Sequence, residues 1–414
     1  MEAHERQAIL YTSSAHALVH VMELTFAAVL VLVGLEFGLG LVALGLLANA
    51  LAITFGAGAL PAGFLADRVG SRRMLVTAML GAAVCSLLVA LSTNTAMLAV
   101  TLTALGLAIG LYHPSGLSLI ARVVEKRALG MGYHGMAGNL GVALTPFFAA
   151  GVAQWWGWRG PYFILAGLAL ALAVATYLAP FREGGRQEAA ATSLVDGAAT
   201  RWHQLLGPLL LLYVATMMGG FIYRGTLTFL PAHFQQHVQL RLGGLEGVAL
   251  AGSLATVALL FGVAGQYVGG NLAQKYRRET LVLLLTLALL PALLLMGTTR
   301  GLPLVVAAAA FALFNFMAQP AWNTLVAEYT PAQLQGRSYG LSFFAAFGLG
   351  SFAAGFSGVV AARLGIQWVF VVMGGFAFLV ALLALVLLLR ALRRRPNAPV
   401  AAAAPMGGPG GGSA

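Results

Sequence analysis

The sequence predicts an all-α integral membrane protein, with twelve transmembrane helices in two pseudo-symmetric six-helix halves. Three observations carry that expectation. The 414 residues are 60% hydrophobic and only 8% charged, whereas soluble domains carry about 25% charged residues. Apolar stretches of about 20 residues, long enough to cross a bilayer, recur along the chain. Segments of the second half echo segments of the first. With a mean hydropathy of +0.89, the solvent is lipid, which excludes a soluble receptor or structural protein.

The spans fall at residues 12–35, 41–63, 74–92, 96–121, 129–153, 160–180, 205–230, 247–270, 280–298, 302–327, 337–361 and 366–390. Each is read as a helix, because an isolated span must satisfy its own backbone hydrogen bonds. The longest hydrophilic break separates spans six and seven. It divides the chain into an N-terminal half (1–180), a central loop (181–204) and a C-terminal half (205–390), before a low-complexity tail (391–414) expected to be disordered. Met1 to Tyr11 is short and of mixed charge, so no cleavable signal peptide is expected. The lone Cys85 excludes an intrachain disulfide and a cysteine metal cluster.

The cations set the orientation. With the N-terminus inside, eighteen Lys and Arg residues face the cytoplasm, and only Arg159, Arg241, Arg300 and Arg363 face out. That imbalance predicts a multi-pass protein of the cell (inner) membrane with both termini cytoplasmic. It also accounts for the net charge of +11 without a nucleic-acid partner. The lipid bilayer, a small-molecule substrate and protons are the expected partners of a monomer, and no cofactor is expected.

Between spans two and three lies Gly63-Phe64-Leu65-Ala66-Asp67-Arg68-Val69-Gly70-Ser71-Arg72-Arg73. Its Gly63, Asp67, Arg68, Gly70, Arg72 and Arg73 resemble the loop signature of the major facilitator superfamily of transporters. The resemblance covers residues 12–390 and implies a gating role for the motif on the cytoplasmic face. A degraded copy, Gly269 to Arg278, follows span eight, with Gln274 where Asp67 would stand. A displacement of 206 residues also places His113-Pro114 on Gln319-Pro320, Gly130 on Gly336 and Tyr133 on Tyr339. Two related halves around a central path are the architecture of an alternating-access carrier.

The chemistry is sparse and therefore legible. Glu23 lies about eleven residues into span one, about 16 Å deep and near the midplane of a hydrocarbon core about 30 Å thick. An ionised carboxylate there needs a cationic partner or a proton. That suits proton coupling; the plainer alternative is a protonated helix–helix hydrogen-bond donor. His16, His20 and Glu23 share one face at i, i+4 and i+7. His20 is placed to share a proton with Glu23, while His16 is read as a partly hydrated neutral side chain near the cytoplasmic end. His113 in span four and His134 in span five occupy similar depth on antiparallel helices. With Tyr112 and Tyr133 they form a candidate polar cluster that binds an anion or relays a proton; a proline kink with satisfied histidines is the alternative. A metal site is not expected, since no carboxylate or cysteine shares that depth.

Arg224 is placed in the outer third of span seven. It is read as an anion ligand, a partner for Glu23 in one conformation, or a side chain snorkelling to the interface. Asn139, Asn315 and Gln319 are amides at cavity depth that line a substrate path or join helices.

Tyr112-His113-Pro114 and Tyr133-His134-Gly135, with the glycine run up to Pro146, are similar to the fosmidomycin-resistance-like efflux branch of the superfamily. His20-Val21-Met22-Glu23 departs from that branch's span-one pattern, with Met for Asn and Glu for Asp. The resemblance implies a proton-coupled efflux antiporter for a small drug or metabolite, anions among the candidates, with drug resistance as the phenotype. A proton-coupled uptake symporter and a lipid or lysolipid flippase share the fold and remain open. An enzyme is not expected: there is no His-Glu-x-x-His, and acids within the membrane are nearly absent.

Overall fold

The structure is a computed structural model. It describes residues 2–124, 127–179, 202–240, 246–330 and 335–393, with the side chains of Gly63, Asp67 and a few other helical residues outside that description. The central loop between residues 180 and 201, and the tail beyond Arg393, also lie outside it.

Every described element is helical. In chain order they are α1 (Ala3–Phe37), α2 (Leu41–Val69), α3 (Ser71–Ala90), α4 (Thr95–Gly110), α5 (Tyr112–Val123), α6 (Arg127–Trp156), α7 (Arg159–Leu178), α8 (Trp202–His237), α9 (Gly247–Lys275), α10 (Arg278–Thr298), α11 (Gly301–Glu328), α12 (Gln335–Phe343), α13 (Ala353–Leu364) and α14 (Gln367–Arg393). Among the described residues, twelve spans are long and apolar enough to cross a membrane. Span four is α4 plus α5, and span eleven joins α12 to α13 through a π-helical turn at Phe344–Leu349 and a 3₁₀ turn at Gly350–Phe352. An even number of spans brings both ends of the described chain to one face, termed here the termini face; the other is the far face.

Local chemistry sets the breaks. Gly38 takes the left-handed conformation (φ 65°) that ends α1, its N–H returning to the Gly34 carbonyl. The Asn94 side chain accepts from the Met97 N–H at 2.9 Å and caps α4. Pro114 has no N–H to give the carbonyl one turn back, and the helix breaks at Leu111 beside it.

Spans one to six pack around a core that includes Phe26, Leu51, Tyr112 and Tyr162. Spans seven to twelve pack around Phe229, Phe234, Phe311 and Phe370. Large apolar side chains stay exposed outside both cores, Trp155 and Tyr177 at 80% and 70% among them. In water such a surface would aggregate; in lipid it is the solvated face.

The two halves are in close contact from the far face down to mid-depth, where a Cβ on Gly56 of α2 would clash with the Gly348 backbone. A Cβ on Gly45 would strike the Ala354 carbonyl and, at 3.2 Å, the Gly358 Cα. The Phe147 N–H donates to Thr256 Oγ1 at 2.9 Å, joining α6 to α9. Toward the termini face, Phe343 and Phe347 of span eleven reach across to Phe55 of α2, each with ring centroids 5.9 Å away.

Candidate functional site

The site grows from α1. Glu23 is 2% exposed and sits fourteen residues from the far end of its helix at Phe37, about 21 Å at 1.5 Å per residue. Arg224 is 4% exposed and thirteen residues from the end of α8 at His237, about 20 Å by the same rise. Their depths match. Arg224 Nη2 donates to Glu23 Oε1 in a buried ion pair that joins the first half to the second. Arg224 is therefore not in the outer third and does not snorkel. Span seven runs on to His237, past the residue 230 expected from hydropathy, so the arginine lies midway.

Glu23 Oε2 accepts from His20 Nδ1 at 2.7 Å. His20 Nε2 meets His16 Nε2 at 3.2 Å, and His16 Nδ1 donates to the His134 backbone carbonyl at 2.7 Å. The His16 ring stacks on the His134 ring with centroids 4.0 Å apart, and His113 stands edge-on to it at 5.1 Å. His16, expected to be a bystander, is thus the hub of the cluster. The i, i+4, i+7 stripe on α1 was its signal, and α1 begins at Ala3, so His16 lies deeper than a span starting at residue 12 implies. Glycine makes the room: a Cβ on Gly138 of α6 would lie 2.6 Å from His16 Nδ1.

Tyr112 is fully buried in the same cluster. Its hydroxyl donates to the Thr12 carbonyl, a residue the sequence did not single out, and lies 3.3 Å from His134 Nδ1. Phe55 and Phe343 cover His113, with centroids at 5.3 and 4.8 Å. His113 Nε2 is buried and has no hydrogen-bond partner. Tyr133 does not join the cluster. It is 45% exposed on the face of α6 that also carries Met136, Leu140, Leu144 and Phe147, because neighbouring residues on a helix point about 100° apart.

The profile of the Major Facilitator Superfamily matches residues 12–355 and again 247–408. The chain belongs to the Major Facilitator Superfamily. It is a secondary transporter of that superfamily and not an enzyme.

A gallate transporter of Pseudomonas putida is 28% identical over 391 residues, covering 84% of each chain. A probable L-galactonate transporter of Escherichia coli K12 is 25% identical over 250 residues, 57% of this chain. The alignment spans about half, 54%, of that relative's length. A bacterial homologue of the human lysosomal transporter Spinster, in an inward-facing and unoccupied conformation, superposes with a TM-score of 0.80 at 14% identity. The overlap covers 95% of this chain and 98% of that one; at that identity it shows the fold alone. These relatives give the fosmidomycin-resistance-like branch no support.

The remaining transporter residues divide. Asn139, Asn315 and Gln319 are half-buried and make no hydrogen bond among the described residues. The 206-residue repeat therefore does not bring Gln319 into the histidine cluster beside His113. In the loop signature, Gly70 has φ 92° and ends α2, while Arg68 and Arg73 are exposed. Arg72 donates to the carbonyls of Thr176, Tyr177 and Ala179 at 3.1, 2.7 and 2.6 Å. These bonds hold the last turn of α7, so this cation ties span three to span six within one half. The Gly63 and Asp67 side chains lie outside the described residues.

Proposed function

We propose that this transporter carries a small organic anion together with a proton by alternating access. The observation that carries the reading is the buried Glu23–Arg224 pair bridging the halves at mid-depth. Arginine presents a planar fork matched to carboxylates. An anionic cargo entering from the termini face competes with Glu23 for that fork. A carboxylate left alone in hydrocarbon does not stay ionised, so the released Glu23 takes a proton while the cargo is bound. Cargo and proton then favour each other, the linkage of a symporter. Export by antiport needs the reverse, a proton that expels the cargo. The geometry thus favours uptake over efflux.

The relatives named for gallate and L-galactonate support an organic-acid cargo. Phe55, Phe343, Phe347 and Tyr223 ring the same depth and suit a flat or apolar cargo body. Placing the termini in the cytoplasm by the positive-inside rule turns the sealed far face outward. That orientation places the protein in the inner membrane with its far-face contacts on the outer side. Asp67, three residues before Gly70, is assigned to the cytoplasmic gate.

The test uses proteoliposomes and labelled gallate. An inward proton gradient drives accumulation that a protonophore abolishes, and Glu23→Gln loses accumulation while keeping gallate exchange. Gradient-driven accumulation by Glu23→Gln at the wild-type level contradicts the reading.

A further inference from the structure

We infer that the chain Glu23–His20–His16 holds one excess proton in the cargo-free state, bound at the His16–His20 link. The inference rests on the symport reading and says where the driving proton waits. Three links run end to end: His20 Nδ1 to Glu23 Oε2 at 2.7 Å, His20 Nε2 to His16 Nε2 at 3.2 Å, and His16 Nδ1 to the His134 carbonyl at 2.7 Å. Each link needs one proton, and the carbonyl at the end only accepts. Three links therefore hold three protons. An ionised Glu23 with two neutral imidazoles supplies two. Without the third, two ring lone pairs face each other across the middle link. The count does not depend on which tautomer either ring adopts.

The neighbouring groups do not supply that proton. The Tyr112 hydroxyl has one hydrogen and spends it on the Thr12 carbonyl. His134 Nδ1 therefore donates to the Tyr112 oxygen, which satisfies His134 as a neutral ring. His113 from α5 faces both rings, its centroid 5.1 Å from His16 and 5.4 Å from His20, with Nε2 unpartnered. No link requires it to be charged. From α8, Arg224 is permanently cationic and engaged with Glu23, and Tyr223 beside it carries no charge at neutral pH. Phe55 and Phe343 close the remaining sides without charge.

The chain also shows how the proton moves. When a cargo carboxylate takes Arg224, the Nδ1 proton of His20 passes to Glu23 Oε2. The proton of the middle link settles on His20 Nε2 and still points at His16. Glu23, His20 and His16 are then all neutral, each link keeps one proton, and none is drawn from water. The driving proton is thus loaded before the cargo, and His16 is the residue that lets the chain accept it.

The experiment is ¹⁵N-imidazole NMR of the full-length, cargo-free protein in nanodiscs at neutral pH, with any affinity tag removed. The expected spectrum shows one imidazolium shared by His16 and His20, with His113 and His134 neutral. In His16→Gln the side-chain amide donates to His20, and the imidazolium signal is lost. Four neutral rings in the wild type, or an imidazolium that survives in His16→Gln, overturns the inference. If the variant does not fold, the wild-type spectrum decides alone. The measurement needs no cargo, so a failure to transport any carboxylate sinks the symport reading and leaves this spectrum unchanged.

Discussion

At the scale of single residues, two charges and four histidines do the work that a chain with 8% charged residues leaves to few hands. Removing one partner of a buried ion pair leaves the other charge uncompensated, which costs about 3–5 kcal/mol. Arg224→Ala is therefore expected to lower stability by that order in thermal unfolding. The double variant Glu23→Gln/Arg224→Met, with neither charge, recovers most of the loss. A double variant as unstable as the single one would show that the pair is not what holds the halves. Glu23 was legible from depth alone, because a carboxylate in the middle of an apolar span needs a cationic partner or a proton. Arg224 was legible as a misfit, with pairing to Glu23 one of three open readings, since pairing across 201 residues leaves no trace in local spacing that would select it. His16 was misjudged because its role comes from α5 and α6, which place His113 and His134 against it.

At the scale of elements, small residues and helix breaks position the site. Gly138 gives α6 the space in which the His16 ring lies flat on His134. Gly138→Ala puts a methyl group into that ring, and overpacking of this kind costs typically 1–3 kcal/mol. The expected outcome is a partial loss of stability and of proton-driven uptake, with gallate exchange less affected; uptake unchanged from wild type would remove His16 from the account. Hydropathy and Gly/Pro punctuation gave the twelve spans to within a few residues, except that α1 starts earlier and α8 runs further than expected. The matched positions of the repeat differ in backbone and in chemistry: span four breaks beside His113-Pro114 while α11 runs unbroken through Gln319-Pro320, and His113 enters the cluster while Gln319 does not. The Arg72 result shows why a motif can look like a gate and also be a cap. A cation near the end of a helix finds its carbonyls first, here those of α7.

At the scale of the whole molecule, two helical bundles meet through a closed far side and a charged centre. The tight approach of α2 to α13 at Gly45 and Gly358 joins the far ends, and in the proposed cycle the Glu23–Arg224 pair is the contact that cargo breaks. The proposed role of Asp67 is at the opposite seal. Asp67→Asn is expected to slow turnover with cargo affinity unchanged, read as transport rate against binding in detergent; a matching loss of affinity would place the loop in the binding machinery. The family was legible in that motif, and the cargo was not, because residues at the helix ends carry no imprint of what the mid-depth Glu23–Arg224 pair binds. The central claim concerns the sign of the coupling between proton and cargo. It is tested most directly by the affinity of the purified protein for gallate between pH 6 and 8, where the cargo carboxylate stays ionised, about two units or more above ordinary carboxyl values. The account predicts affinity that is flat where the cargo-free chain already holds its proton and weakens as pH rises past that point, with the dependence lost in Glu23→Gln; weaker binding as pH falls would contradict it and make the protein an antiporter.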